Sequence, residues 1–532
     1  MIARGLLAGL GLVAAFGVAA CDFGVRLSGT APGASGPVAV VAHPTTSASA
    51  SAAPDPLGPP PVLAKPSTFE PKAPEVFQGP NGLTVWLSTR PNLPLVSATF
   101  VAPYGAAADP EDRPGTMFVL ADMLDEGAGK RSALEISDGI SSLGANLSTY
   151  ATADGTFAGV SSLRTNFDPA FEILCDVVTK PKLDAKDFTR VKKLYKNSLK
   201  KRLSDPDSVA SAVTMRELYG DKAPYGHPVS GYLSKADAID LAGLKTAYAK
   251  TVRPERLTLV VVGQITRPEL EALLAKSFAA WKPKGEAAAL PKLSPVLDGR
   301  PRIVLVDRPN AVQTVVVVAR EGVAASDAQA PGLDLVNAAL GGSFTSRLNS
   351  NLREEKHWTY GAGSTFTMTR GPGVFYARTS VETPFTGRAV KEILGELTKM
   401  AADGLATPEL AKVKALDRAD LVQSYETVSG TTGRLAALVA AGLPPGFDAA
   451  ATRLRQSSTD ADIARLAKEH VGPAGVTIVL VGDRANVEKQ LAEEGLGTAE
   501  VVGPEGEPLG GRKDAPTKKA PAPKTTPPQK TR

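Results

Sequence analysis

The sequence predicts an α+β fold of the α/β-sandwich kind: two homologous domains, each a mixed or antiparallel sheet packed with helices. Three observations predict it. The chain has 532 residues, beyond the size at which one hydrophobic core stops growing. Landmarks in its first half recur in its second at a period near 218 residues, the mark of a duplicated unit. Within each unit short β-branched runs open and close the segment and longer helix-like stretches lie between them.

The elements follow in order. Leu83 to Leu87 and Leu95 to Ala102 read as strands flanking Arg90-Pro91-Asn92, and Ile303 to Val306 and Val312 to Ala319 flank Arg308-Pro309-Asn310 in the same way. The second run ends at Gly105 in one half and at Gly322 in the other. Met117–Leu124 and Asp187–Leu203 read as helices. LTLVVVGQ at 257–264 recurs as VTIVLVGD at 476–483, each copy preceding a helix-like stretch, Glu269 to Trp281 and Asn486 to Glu494. The predicted organisation is a leader over 1–21, a tether over 22–70, a first domain over 71–285, a linker over 286–298, a second domain over 299–500 and a disordered Pro/Lys-rich tail over 501–532.

Composition narrows the function. The net charge of +5 is too mild to argue for nucleic acid, and residues 503–532 alone carry +4 of it. Two cysteines cannot make a disulfide scaffold, and four histidines leave little for a His-rich metal site. Arg4, the apolar run Leu6 to Val18 and the small residues after it read as a secretory signal. Val18-Ala19-Ala20-Cys21 looks like a lipobox, so Cys21 is the expected lipidation site of a protein anchored in the bacterial cell envelope and facing the periplasm. Ordinary cleavage after Ala20 fits the same residues. Residues 28–67 are mostly Ala, Ser, Pro, Thr and Gly with few large apolar side chains, too little burial to offset ordering entropy. Cys175, within an apolar segment, reads as a buried core thiol.

Several segments resemble the insulinase/pitrilysin family of zinc metallopeptidases, the inverzincins, and among them the bacterial two-domain members. In the first half these are Gly115 to Gly127, SSLGANLSTYATADGT at 141–156 and LYGDKAPYGHPVSG at 218–231; in the second it is LVNAALGGSFTSRLNSNLREEKHWTYGAGS at 335–364. The family's chemistry depends on H-x-x-E-H on a helix, where two His on one face hold Zn²⁺, the Glu activates its water and a later helix brings a further Glu. The matching run here is Phe118-Val119-Leu120-Ala121-Asp122, so Phe118 and Asp122 replace both ligands and Ala121 replaces the base. The stretch 188–204 has no Asp or Glu, while seven of its seventeen residues are Lys or Arg, and Asn197 or Ser198 falls near the third-ligand position. His43, His227, His357 and His470 are far apart in sequence. No metal and no cofactor are therefore expected in this chain.

The resemblance also implies that Arg353 and Tyr360, seven residues apart, hold the substrate: a guanidinium offers fixed donors to peptide carbonyls and a phenol donates to an oxyanion. Read without it, an Arg followed by two Glu is a surface ion-pair residue. Gly341-Gly342-Ser343-Phe344 reads equally as cavity lining and as a helix-terminating turn. A chain that keeps the Arg/Tyr pair and lacks the zinc motif resembles the non-catalytic subunit of a heterodimeric peptidase, half of a clam shell closing on a peptide. The expected partner is a homologous H-x-x-E-H subunit carrying the zinc, or a second copy of this chain. The rival expectation is a peptide-binding or scaffold lipoprotein with no hydrolytic role.

Overall fold

The computed structural model describes residues 69–293 and 302–509. The leader, Cys21, nearly all of the tether, residues 294–298 of the linker and the tail from 510 onward lie outside the described residues.

The first half runs β1 (Glu75–Gln78), β2 (Thr84–Thr89), β3 (Leu95–Ala102), α1 (Thr116–Leu124), a two-residue hairpin of β4 (Gly127–Ala128) and β5 (Arg131–Ser132), α2 (Ala133–Ser142), β6 (Asn146–Ala151), β7 (Thr156–Leu163), α3 (Arg164–Thr179), α4 (Ala185–Ser204), α5 (Pro206–Tyr219), α6 (Leu241–Thr251), β8 (Thr258–Gly263) and α7 (Arg267–Ser277). The second repeats the plan: β9 (Arg302–Asp307), β10 (Gln313–Glu321), α8 (Ala330–Leu340), α9 (Arg347–Asn349), β11 (Thr359–Phe366), β12 (Val374–Glu382), α10 (Thr386–Asp403), α11 (Thr407–Glu426), α12 (Val428–Ala440), α13 (Phe447–Ser457), α14 (Asp460–His470), β13 (Thr477–Gly482), α15 (Arg484–Glu493) and β14 (Ala499–Val502).

Each half builds a six-stranded mixed sheet. The first has the order β1-β2-β8-β3-β7-β6 and the second β11-β12-β10-β13-β9-β14. β8 lies parallel to β2 and β13 parallel to β9, while β3 and β10 run antiparallel to their neighbours. The edges differ. β1 enters antiparallel from the N-terminal side, whereas its counterpart β14 arrives from the C-terminal side and pairs parallel with β9.

One face of each sheet is covered by helices of its own half. Phe100 on β3 stacks between Phe278 and Phe171, with ring centroids 5.5 and 6.2 Å away. The other face is covered by the opposite half. Trp86, Val101, Phe157, Val260 and Val262 of the first sheet are buried with Val428, Leu435 and Leu438 of α12. Reciprocally, Val304, Val306, Val315, Val317 and Val479 of the second sheet are buried with Val209, Ala210 and Val213 of α5. Burial on both faces explains why β8 and β13 are near-continuous apolar runs and do not alternate. The two halves are homologous, but each completes its core with a helix of the other.

The repeated Arg-Pro-Asn now has a physical reason. Arg90 donates to the carbonyls of Tyr425 (2.7 Å) and Glu426 (3.3 Å) at the end of α11, and to Thr431 Oγ1 (2.8 Å) in α12. Arg308 donates to the carbonyl of Leu203 at the end of α4. A cation there neutralises the negative end of the helix dipole, and each Arg does so where the exchanged helix begins.

The tail expectation needs correction at its start. Residues 501–509 are part of the fold: β14 extends to Val502, and the Glu505 side chain, 7% exposed, accepts from the backbone N–H groups of Leu233 and Ser234 in the first half. Two backbone donors and a sheet edge give this short strap enough partners to order it. The stretch after Lys282 is likewise packed, with Arg253 donating to the carbonyls of Lys284 and Gly285 and Tyr104 to that of Ala288.

Candidate functional site

On α1 the local sequence puts the large apolar side chains inward. Met117, Leu120, Met123 and Leu124 are buried, and Ala121 is buried with them. The helix starts at Gly115, whose φ of +95° suits a residue without Cβ, and the Asp109 carboxylate accepts from the N–H groups of Gly115 (2.6 Å) and Met117 (2.7 Å). Phe118 and Asp122 are partly buried and lie one turn apart on a common side. The Phe118 ring stands 6.0 Å from that of Tyr195 on α4. Burial pushes the Asp122 carboxyl up to about 7, helped by the nearby charges of Asp125 and Glu126.

Tyr195 is the α4 residue that meets Phe118, not Asn197 or Ser198. Val191, Tyr195 and Leu199 form the buried face of α4, and the Tyr195 hydroxyl donates to the Ser230 carbonyl at 2.7 Å. Asn197 and Ser198 are exposed, and the Ser198 hydroxyl donates to the carbonyl of Tyr195 in its own helix. At about 100° per residue Asn197 is turned about 200° from Tyr195, to the opposite face, while Ser198, about 60° off, falls at the exposed edge of the buried stripe.

These residues do not fit a zinc ion. Zinc needs three or more converging N, S or O donors, and this place offers two aromatic rings, a methyl group and one carboxyl whose burial favours the protonated form. Among the described residues no group of three or more His, Cys, Asp or Glu side chains is placed to hold a metal ion. The histidines stand apart: His227 Nδ1 is 3.0 Å from the Pro228 carbonyl, His357 Nδ1 is 3.1 Å from the Arg353 carbonyl and His470 Nε2 is 2.6 Å from Gln329 Oε1. His43 lies outside the described residues. Cys175 is buried on α3, its thiol pushed up by burial first and by Asp176 and Glu172 after it.

The second half brings Arg353 and Tyr360 to one cavity. Beyond α9 the helix widens into a π-helical turn over Ser350–Glu355, which carries Arg353, and such single turns recur at functional sites. Asn351 holds the turn to α10 by donating to Glu392 and Glu396, each at 3.0 Å. The Arg353 guanidinium lies over the Phe344 ring, 4.5 Å from its centroid, and its Nε is 3.4 Å from Glu354. The ion-pair reading of this Arg thus describes one contact it makes, a weak constraint because it is exposed and long. Tyr360 is 90% exposed at the start of edge strand β11. Arg353, Tyr360, Glu354, His357, Trp358 and Glu382 line a cavity of about 300 Å³.

Gly341 and Gly342 end α8 and pack against their surroundings. A Cβ on Gly341 would lie 2.1 Å from the backbone nitrogen of Ser364 on β11, and one on Gly342 would lie 3.0 Å from the Cα of Ala338. The glycines therefore serve the turn, and Phe344, 65% exposed, is the residue of that run that reaches Arg353. Asn351 is a site residue that sequence reasoning missed. Its signal is only an Asn four residues after a helix start, common in chains of any function.

Comparison with known proteins gives the family and the fold. Residues 84–224 match the insulinase family (peptidase family M16), and residues 238–416 match the peptidase M16 inactive domain. A zinc protease of Mycobacterium leprae is 24% identical over 358 residues, covering 67% of this chain and 80% of that protein. The beta subunit of the mitochondrial-processing peptidase of Saccharomyces cerevisiae is 26% identical over 227 residues, 42% of this chain and 46% of that protein. Among solved structures, a peptidase M16 inactive domain from Pseudomonas fluorescens superposes with a TM-score of 0.71 at 26% identity, covering 77% of this chain and 98% of that one. A protease from Helicobacter pylori shares the fold, with a TM-score of 0.71 at 19% identity over 76% of this chain and 98% of that one. The chain belongs to the insulinase (M16) family.

Proposed function

We propose that this chain is the zinc-free subunit of an envelope metallopeptidase, supplying Arg353 and Tyr360 as substrate-binding residues to a homologous partner that carries H-x-x-E-H and the zinc. The observation that carries the reading is a contrast within one molecule. The α1/α4 place has lost its donors, while Arg353 and Tyr360 remain at the rim of an open cavity. A guanidinium resting on Phe344 and paired with Glu354 through Nε can still donate from its Nη groups to peptide carbonyls, and an exposed phenol can donate to an oxyanion formed on a partner's metal. Membrane attachment through Cys21 belongs to the same proposal and places the pair in the cell envelope.

The test is to purify the chain alone and with an H-x-x-E-H homologue, then measure bound zinc and peptide cleavage. The chain alone is expected to bind no zinc and cleave nothing, and the mixture to cleave. In the mixture Arg353→Ala or Tyr360→Phe should lower kcat/KM by roughly 10²-fold, about 3 kcal/mol of transition-state binding. Unchanged rates for both variants would remove the pair from the mechanism. A peptide that binds the mixture and is never cleaved would make the chain a scaffold.

A further inference from the structure

Among the seven Lys and Arg residues of 188–204, those on the inner flanks of α4 are engaged. Arg190 pairs with Glu126, Lys196 with Asp237, Lys192 donates to the carbonyls of Asp237 and Ile239, and Arg202 donates to Ser230 and Gly231. The outward side is different. Lys186, Lys193 and Lys200 recur every seven residues, Lys201 stands beside them, and all four are exposed. None of them has an ion pair or hydrogen bond among the described residues. A row of 16 residues from Lys186 to Lys201 extends about 23 Å along a helix. Leu194, 57% exposed, lies on the same outward side.

One end of this row packs beside the strap at 501–509. Arg202, in the last turn of α4, holds Ser230 and Gly231, and Glu505 is bound by Leu233 and Ser234 immediately beyond them.

We propose that the outward face of α4 is a docking surface for an anionic phospholipid bilayer, with Lys186, Lys193, Lys200 and Lys201 over the headgroups. Charge complementarity selects an anionic partner, because unpaired ammonium groups along one line lower their energy only against negative charge within a Debye length. The exposed Leu194 among them selects a surface with an apolar layer under its charge over a soluble polyanion. The reading is independent of the peptidase proposal, since it uses none of the residues of the cavity.

The test uses the full chain reconstituted with vesicles of phosphatidylcholine, with or without 30 mol% phosphatidylglycerol, and reads lysine acetylation by mass spectrometry. Lys468 and Lys489, exposed on the second half, are the internal controls. Acetylation of the four row lysines should slow at least fivefold on the anionic vesicles only, recover in 0.5 M NaCl, and leave the controls unchanged. Each lysine near such a surface is worth about fivefold in partition. Lys193→Gln with Lys200→Gln should therefore lower the ratio of partition into anionic over neutral vesicles about 25-fold, and these exposed, unpaired positions should leave the fold intact. Equal acetylation on both kinds of vesicle, or protection by an acidic protein and not by the vesicles, overturns the proposal.

Discussion

Asp122 shows how burial alters a single residue on α1. With no cationic partner to offset its burial among the described residues, its carboxyl is pushed from 3.8 up to about 7, by desolvation first and by Asp125 and Glu126 second. Below about pH 4 folded and unfolded chains both hold the proton and the group is neutral in its effect. Between about pH 4 and 7 the unfolded chain releases the proton while the folded chain keeps it, so stability falls as pH rises, and above 7 the full penalty applies. Asp122→Asn keeps the shape and removes the penalty. It should stabilise the protein by on the order of 2 kcal/mol at pH 8, after allowance for its partial exposure, and by nearly nothing at pH 4. Denaturant midpoints of both proteins at the two pH values measure this, and an equal difference at both would mean the carboxylate is not the cause. Phe118 belongs to the same account, since a ring packed on Tyr195 fills space that a ligand set would keep polar.

Among the elements, the strands were the most legible. Leu95 to Ala102 was expected as a strand and β3 has those bounds, because β-branched runs between Gly, Pro and Asn leave little choice. The partner of each sheet face was not legible. α5 is buried on most sides, through Val209, Ala210, Ala212, Val213, Leu218 and Tyr219, but an apolar helix does not name the sheet it covers. The role of Arg90 and Arg308 was hidden for the same reason, since their acceptors are 335 and 105 residues away. The Arg/Tyr pair was legible as a motif, whereas the π-helical turn that aims Arg353 depends on Glu392 and Glu396 of a later helix. The matching contacts of the two Arg residues give a prediction. Arg90→Ala and Arg308→Ala should each cost roughly 1–3 kcal/mol, the worth of charged hydrogen bonds to half-buried carbonyls. Asn92→Ala, exposed beside Arg90, should stay within about 0.5 kcal/mol. Urea unfolding of the three variants decides it, and an Arg90 variant no weaker than the Asn92 one would leave the repeated motif without this explanation.

For the molecule as a whole, exchanged helices and the strap bind the two halves into one cooperative unit. Besides α5 and α12, Arg302 forms an ion pair with buried Glu217 at 2.8 Å. Asp154 of the first half accepts from the Tyr225 hydroxyl at 2.5 Å and from the Arg370 backbone at 2.8 Å. Arg370 in turn donates to the carbonyls of Asp154 (3.0 Å) and Ala440 (2.7 Å), joining a first-half loop to the end of α12. If 70–293 were made alone, Trp86, Val101, Phe157, Val260 and Val262 would face water. At about 1.5–3 kcal/mol for each large apolar side chain, the loss is near 10 kcal/mol, comparable to the whole stability of an ordinary domain. The fragment 70–293 should therefore show no cooperative unfolding transition by itself, nor should 302–509, which loses the cover of α5 over Val304, Val315 and Val479. An equimolar mixture should regain one transition and elute at the size of the joined body, with a midpoint that rises with concentration because the two pieces now associate. Circular dichroism and size-exclusion chromatography of each piece and of the mixture test this. A cooperative transition in isolated 70–293 would mean that the first sheet tolerates an uncovered face and that the duplicated halves are separable domains after all.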